Sequence, residues 1–156
     1  AIAVNHEYAE DARAVREGLV AEAPDRKPIP VVCGVDGGYT NRTVLRGLPD
    51  GITLIGRLRK DAKLFSIPPE PATPGRGRRR LYGERLSTPA ELLADKTIPF
   101  KEVKAWAAGK EHDFKLKIMG PVRWQPAGGR SLLLVVIAPL GYRLRAGSAV
   151  LYRQPA

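Results

Sequence analysis

The sequence predicts an α/β fold in which helix, strand, helix and strand are followed by a β-rich second half. Three observations carry this. Apolar residues recur at helical spacing over residues 5–23. Two short runs with β character, IPVVCGV and ITLIGRLR, flank a short helix candidate, an order that argues a layered core with a parallel strand pair. Beyond residue 65 the chain turns to strand-like runs separated by Gly- and Pro-containing turns.

In NHEYAEDARAVREGLVAEA the residues Tyr8, Ala12, Val15 and Leu19 share one helical face. Asn5 fits the N-cap, acidic residues fill the first turns where the helix dipole favours them, and Pro24 ends the helix. PDRKPIP is a loop. Ile29–Val35 is an almost continuous apolar run of the kind found in strands buried on both faces, with Asp36 at its carboxyl end. Thr40 or Asn41 caps a short helix through Leu48, closed by Pro49-Asp50-Gly51. From Ile52 to Arg59, Ile52, Leu54, Gly56 and Leu58 alternate with Thr53, Ile55, Arg57 and Arg59, the period of a strand.

IPPEPATPGRGRRRLYG then reads as an exposed loop or a ribbon of irregular strands, and STPAELLADK as a short capped helix. FKLKIMGPVRW, RSLLLVVIAPLGYRL and SAVLYRQ read as strands, with turns at GPV, QPAGG, APLGY and RAGS. The expected organisation is an α/β core over residues 1–64 and a basic loop with a β-rich insertion over 65–156.

Charge narrows the function. The chain carries a net charge of +10 with a pI near 10.1. Residues 1–30 hold four Lys/Arg and six Asp/Glu, so the remaining residues carry the whole basic excess. Such a surface favours a polyanion, nucleic acid above all. A membrane surface is not expected, because there is no basic amphipathic helix, and the longest apolar run, SLLLVVIAPL, is too short to span a bilayer. Cys33 is the single cysteine, which excludes an internal disulfide and fits a reducing compartment such as the cytoplasm. It reads as a small core residue. His6 and His112 are too far apart in sequence to suggest a zinc site. The chain opens on Ala-Ile-Ala-Val and closes on LYRQPA, and the expectation is that both ends are cut.

Asp36 is the first candidate for chemistry. It leaves its strand into Gly37 and Gly38, which allow a sharp turn and a bulky neighbour. Either it opens an Asx turn that caps the next helix, or it is presented to a ligand. GVDGGY lacks the dinucleotide spacing, and no P-loop is present. Arg57 and Arg59 share a strand face, with Lys60 and Lys63 at its exit. If the two strands are parallel neighbours, these cations leave the sheet near Asp36. A carboxylate able to hold magnesium beside phosphate-gripping arginines suits phosphodiester chemistry, whereas a solvated strand end with Asp61 pairing one cation is the plain reading. GRGRRR supplies Arg76, Arg78, Arg79 and Arg80 as backbone contacts. Trp106 and Trp124 are either base-stacking platforms or core anchors, the latter favoured. Ser87 and Ser131 have no neighbouring histidine in sequence and are poor nucleophile candidates.

VDGGYTNRTVLRGLP followed by LIGRLRKDAKLF resembles the catalytic region of DDE-superfamily insertion-sequence transposases, the cut-and-paste group with an RNase H-like core. GRRRLYGERLSTPAEL, VRW and VLYRQPA follow in the order expected of that family, so the resemblance runs from about residue 30 to the end. It implies an incomplete RNase H-like core with a β-rich insertion. It also implies metal-dependent DNA cleavage and strand transfer, two Mg2+ or Mn2+ ions held by three carboxylates, transposon-end and target DNA as partners, and a homo-oligomer in the intact protein. Asp36 matches the family's second aspartate, a ligand shared by both ions. Tyr39 and Asn41 are implied as supporting or DNA-contacting residues, Arg42 as a DNA contact, and Arg57 as a phosphate holder. The family's first aspartate belongs on a strand before the helix at 5–23, and its glutamate on a helix after the insertion; Asp11, Glu17 and Asp113 occupy neither place. The resemblance therefore implies an internal piece with one of three carboxylates, no strand cleavage on its own, and an unpaired sheet edge where the family's first strands are missing. Two other functions fit the residues alone. One is a non-catalytic nucleic-acid binder using GRGRRR and the cations at 57–63. The other is a small nucleotide- or phosphate-binding enzyme using the Gly37-Gly38 turn.

Overall fold

A computed structural model describes residues 31–49, 51–70, 77–107, 109–140 and 147–152, together with Ala14, Glu17 and Gly18. The latter three are helical; the rest of the helix expected over 5–23, the first two residues of the run from Ile29, and Arg76 lie outside the described residues. The elements are β1 (Val31–Val35), α1 (Arg42–Gly47), β2 (Ile52–Arg57), β3 (Leu64–Phe65), α2 (Pro89–Ala94), β4 (Lys101–Ala107), β5 (Lys110–Trp124), β6 (Leu132–Ile137) and β7 (Gly147–Tyr152). They form a mixed seven-stranded sheet in the order β1-β2-β7-β6-β5-β3, with β4 also paired to β5.

β1 and β2 are parallel, with Val31 opposite Ile52 and Val35 opposite Gly56, as the helix between the two runs predicts. All other strand pairs are antiparallel. β7 returns from the second half to lie between β2 and β6, so one sheet runs across residue 65. β1 ends the described sheet.

The core lies on one face of the sheet. Ile52 and Leu54 of β2, Val44 and Leu45 of α1, Leu92 of α2 and Leu134 of β6 belong to one buried cluster. Leu45 is fully buried, and truncating such a leucine to alanine typically costs about 2–5 kcal/mol. The other face is covered less, with Leu133 and Val135 of β6 half-buried. Val32 is 57% exposed, and Ile55 and Ile118 are exposed as well. The expectation of a β1 buried on both faces is thus corrected, since burial alternates along it and only Val31, Cys33 and Val35 pack on the core.

α1 is short because its ends are fixed locally. Asn41 is the N-cap, its side chain accepting from the Thr43 and Val44 amides, and Gly51 turns the chain into β2 with φ of 77°. At the other end Arg130 donates to the Arg46 and Leu48 carbonyls, while Arg46 donates to the carbonyls of Gln125 and Pro126. The two arginines thus clasp α1 to the 3-10 turn over Gln125–Ala127. In α2, Thr88 and Glu91 form a reciprocal capping box at the start of the short capped helix expected in STPAELLADK.

Two expectations for the second half are corrected. GPV is not a turn: β5 runs through it, and a register shift between Met119 and Val122 absorbs the Gly120–Pro121 pair. A proline lacks the amide a ladder needs, and a bulge is where a sheet tolerates that loss. β4 has no counterpart in the sequence reading, because KEVKAWA carries its charges on a ribbon exposed to water. β4 pairs with the first half of β5, and its Trp106 is 74% exposed, so Trp106 is not a core anchor. Trp124, by contrast, packs against the core.

Candidate functional site

Asp36 leaves β1 into a turn held at three points. Its Oδ1 accepts the Gly38 amide at 2.8 Å, and its carbonyl accepts the Thr40 hydroxyl at 2.9 Å and the Tyr39 amide at 3.3 Å. This is an Asx turn, but the helix cap that would explain it away belongs to Asn41. Asn41 also donates from Nδ2 to the Gly38 carbonyl at 2.7 Å, tying the turn to α1. Tyr39 is half-buried against the core.

The parallel register carries Asp36 to the level of Arg57, because Val35 faces Gly56 one residue earlier. The two line one cleft of about 630 Å³ with Arg59 and Lys60. Its apolar wall includes Leu58, Leu93 and Trp124. The loop after β2 is fastened to α2 by a bond from the Ala90 amide to the Lys60 carbonyl. Among the described residues no ion pair joins Asp36 to Arg57, and both are exposed. Arg59 is differently placed. Its guanidinium grips Asp61 through two bonds of 3.1 Å, and that grip holds the Asp61 carboxyl below the usual aspartate range. The plain reading of a cation paired by Asp61 therefore applies to Arg59.

Of the other predicted contacts, Arg42, Lys63, Arg78, Arg79 and Arg80 are exposed and do not line the cleft. Sequence reasoning overlooked Thr40 and Gly56, which pack on one another beneath the turn, and the α2 residues Pro89, Ala90 and Leu93, which close the cleft. It also overlooked Lys117, only 2% exposed. Lys117 Nζ donates to the carbonyls of Leu92 at 2.9 Å, Leu93 at 3.3 Å and Asp95, and stands 4.5 Å from the Phe100 ring centre. A charge at the carbonyl end of a helix is favourably placed.

The donor set bears on a cation. Magnesium takes oxygen ligands and is commonly held by one or two carboxylates plus substrate phosphate and water. The Asp36 carboxylate fits one position of such a shell, beside cations suited to phosphate. Among the described residues no group of three His, Cys, Asp or Glu side chains could hold a metal, so a three-carboxylate, two-ion centre is not met by them. The Gly37-Gly38 turn is poorly suited to nucleotide phosphate, since the α1 amides of Thr43 and Val44 are already taken by Asn41.

A mixed α/β sheet that sets a carboxylate and arginines around one cleft is the kind of scaffold on which phosphodiester chemistry is built. The model of the DDE superfamily endonuclease family matches residues 5–112, and the chain belongs to that family. The resemblance seen in VDGGYTNRTVLRGLP is thereby borne out at the level of the superfamily. No curated protein and no solved structure gives a significant match. Among the described residues no helix is long and apolar enough to cross a membrane.

Proposed function

We propose that this chain is part of a DNA transposase catalytic domain. In this reading residues 1–64 form a partial RNase H-like core and 65–156 a β-rich insertion. The observation that carries the proposal is the Val35–Gly56 register, which sets Asp36 and Arg57 at adjacent strand ends in one cleft. Membership of the DDE superfamily endonucleases makes DNA the expected substrate.

Arg57 binds a backbone phosphate, with Lys60 beside it and Arg59 contributing less because its guanidinium is paired with Asp61. Asp36 offers one carboxylate to Mg2+ or Mn2+, which when bound supplies Lewis-acid stabilisation of charge at phosphorus. Tyr39 and Asn41 support the turn that carries Asp36, and Arg42, Lys63, Arg76 and Arg78–Arg80 extend the contact with the DNA backbone. With Asp36 the one carboxylate lining the cleft among the described residues, the ion is weakly held and the chain alone does not cleave DNA. Transposon ends and target DNA are the partners proposed for the whole enzyme, acting as a homo-oligomer in the cytoplasm.

The test is binding of duplex DNA by fluorescence anisotropy with and without Mn2+. Wild type binds more tightly when Mn2+ is added, Asp36→Asn loses that increment, and neither nicks a supercoiled plasmid. An equal Mn2+ response in both proteins sinks the reading. A second reading, a non-catalytic DNA binder, is favoured by the exposed run Arg78–Arg80. It predicts salt-sensitive binding reduced by changing those arginines and indifferent to Asp36.

A further inference from the structure

Thr40 is 5% exposed, yet it lies four residues from an open carboxylate on a surface turn. Its hydroxyl donates to the Asp36 carbonyl at 2.9 Å, and its side chain lies on Gly56 of β2. A Cβ at Gly56 would stand 2.8 Å from Thr40 Cγ2 and still closer to Oγ1, the side chain of a buried residue. Gly56 faces Val35 in the register, directly before Asp36. The missing side chain on β2 is therefore the space in which Thr40 sits. A Cβ at Gly37 would lie 3.9 Å from the Arg57 carbonyl, so the turn runs close to the backbone of the residue it must accompany.

We infer that Thr40, seated on Gly56, is a positioning residue that fixes the Asp36 turn at the height of Arg57. The mechanism is steric and hydrogen-bonded together. The gap at Gly56 admits the threonine, and the hydroxyl then fixes the Asp36 carbonyl, so that with Oδ1 held by the Gly38 amide it is Oδ2 that is presented to a ligand. Outer partners of this kind commonly change metal affinity by about 10–100-fold when removed. The inference rests on the proposed role of Asp36 as a cation ligand, and it adds the residues that aim it.

The experiment uses the full chain and two NMR readouts. The first is hydrogen exchange of the Gly38 amide, which donates to Asp36 Oδ1. The second is Mn2+-induced broadening of the Gly37 and Gly38 amide signals. Thr40→Val, nearly isosteric but without the hydroxyl, speeds Gly38 exchange on the order of fivefold and weakens Mn2+ binding about tenfold. Thr40→Ser keeps the hydroxyl and restores both readouts, a rescue that loss of core packing alone would not give. Gly56→Ala, which pushes Thr40 from the other side, acts in the same direction as Thr40→Val. Wild-type values for both readouts in Thr40→Val, with Mn2+ broadening lost in Asp36→Asn, overturn the inference alone. Broadening retained in Asp36→Asn overturns the cation reading and the role given to Thr40 with it.

Discussion

Asp36 and Arg57 occupy corresponding places at the carboxyl ends of two parallel strands, one residue beyond the Val35–Gly56 pair. An exposed arginine in that position, with no acid within ion-pairing distance among the described residues, is placed to take a phosphate. Two residues on, Arg59 already spends its fork on Asp61.

That asymmetry makes a prediction. Arg57→Ala weakens duplex binding and lowers the slope of log affinity against log salt by about 1, the loss of one phosphate contact. Arg59→Ala produces the smaller effect, because part of what its charge does for DNA is already cancelled by Asp61. Anisotropy titrations over a range of salt concentrations check both. A larger effect at Arg59 than at Arg57 contradicts the cleft geometry.

Lys117 is the second place where geometry makes a claim. Its ammonium serves three carbonyls at the end of α2 from within the protein. Lys117→Met keeps the stem and removes the donors, leaving those carbonyls without a buried partner. The expected destabilisation is about 1–3 kcal/mol, read as a lower urea midpoint with an unchanged slope. Lys115→Met is the control. Lys115 pairs with Glu102 at 3.7 Å on an exposed strand, and pairs of that kind contribute about 0–1 kcal/mol.

Lys117 also shows how far the sequence could be read. In FKLKIM, alternation alone sends Leu116 and Ile118 inward and the lysines outward. The structure reverses this for one pair, with Lys117 buried and Ile118 46% exposed, while Lys115 stays in water. The polarity of a side chain decides its face only when nothing inside needs that polarity, and the end of α2 does. By contrast, β2 and its exit were legible, because Ile52, Leu54 and Leu58 all enter one apolar cluster. The parallel pair and the place of Asp36 followed from it. The cleft's far wall was not legible, since Pro89, Leu93 and Trp124 reach it from more than fifty residues beyond Asp36 in the chain. The β4 ribbon escaped for another reason: with none of its residues buried and its Trp106 in water, it has no burial pattern to betray it.

Glu91 gives a dependence on pH. Its carboxylate accepts the Thr88 amide at 2.7 Å, and its own amide donates to the Thr88 hydroxyl. The bond from the Thr88 backbone, then that with the Thr88 side chain, holds its pKa below the ordinary glutamate value. A carboxyl whose folded pKa is depressed adds stability above its unfolded pKa, near 4.3, and that stability is lost as pH falls through the lower folded value. Glu91→Gln therefore flattens the fall in stability below about pH 4.3 and changes little at neutrality, measured by urea unfolding at several pH values. Thr88→Ala removes the cap at every pH, at a cost of about 1 kcal/mol.

The two tryptophans separate the cleft from the rest of the basic surface. Trp106 stands on the β4 ribbon, opposite Glu111 and largely in water. Trp124 lines the cleft with Asp36, Arg57 and Lys60 and packs against the core. In Trp106→Phe the remaining emission comes from Trp124, is bluer, and resists iodide quenching; in Trp124→Phe it is redder and readily quenched. Duplex DNA titrated into each variant is expected to shift or quench the Trp124 signal and to leave that of Trp106 nearly unchanged. DNA drawn only to the scattered lysines and arginines would perturb neither indole selectively. A response at Trp106 with none at Trp124 would move the binding surface to the ribbon, leaving Asp36 outside the DNA path and the carboxylate without a substrate to act on.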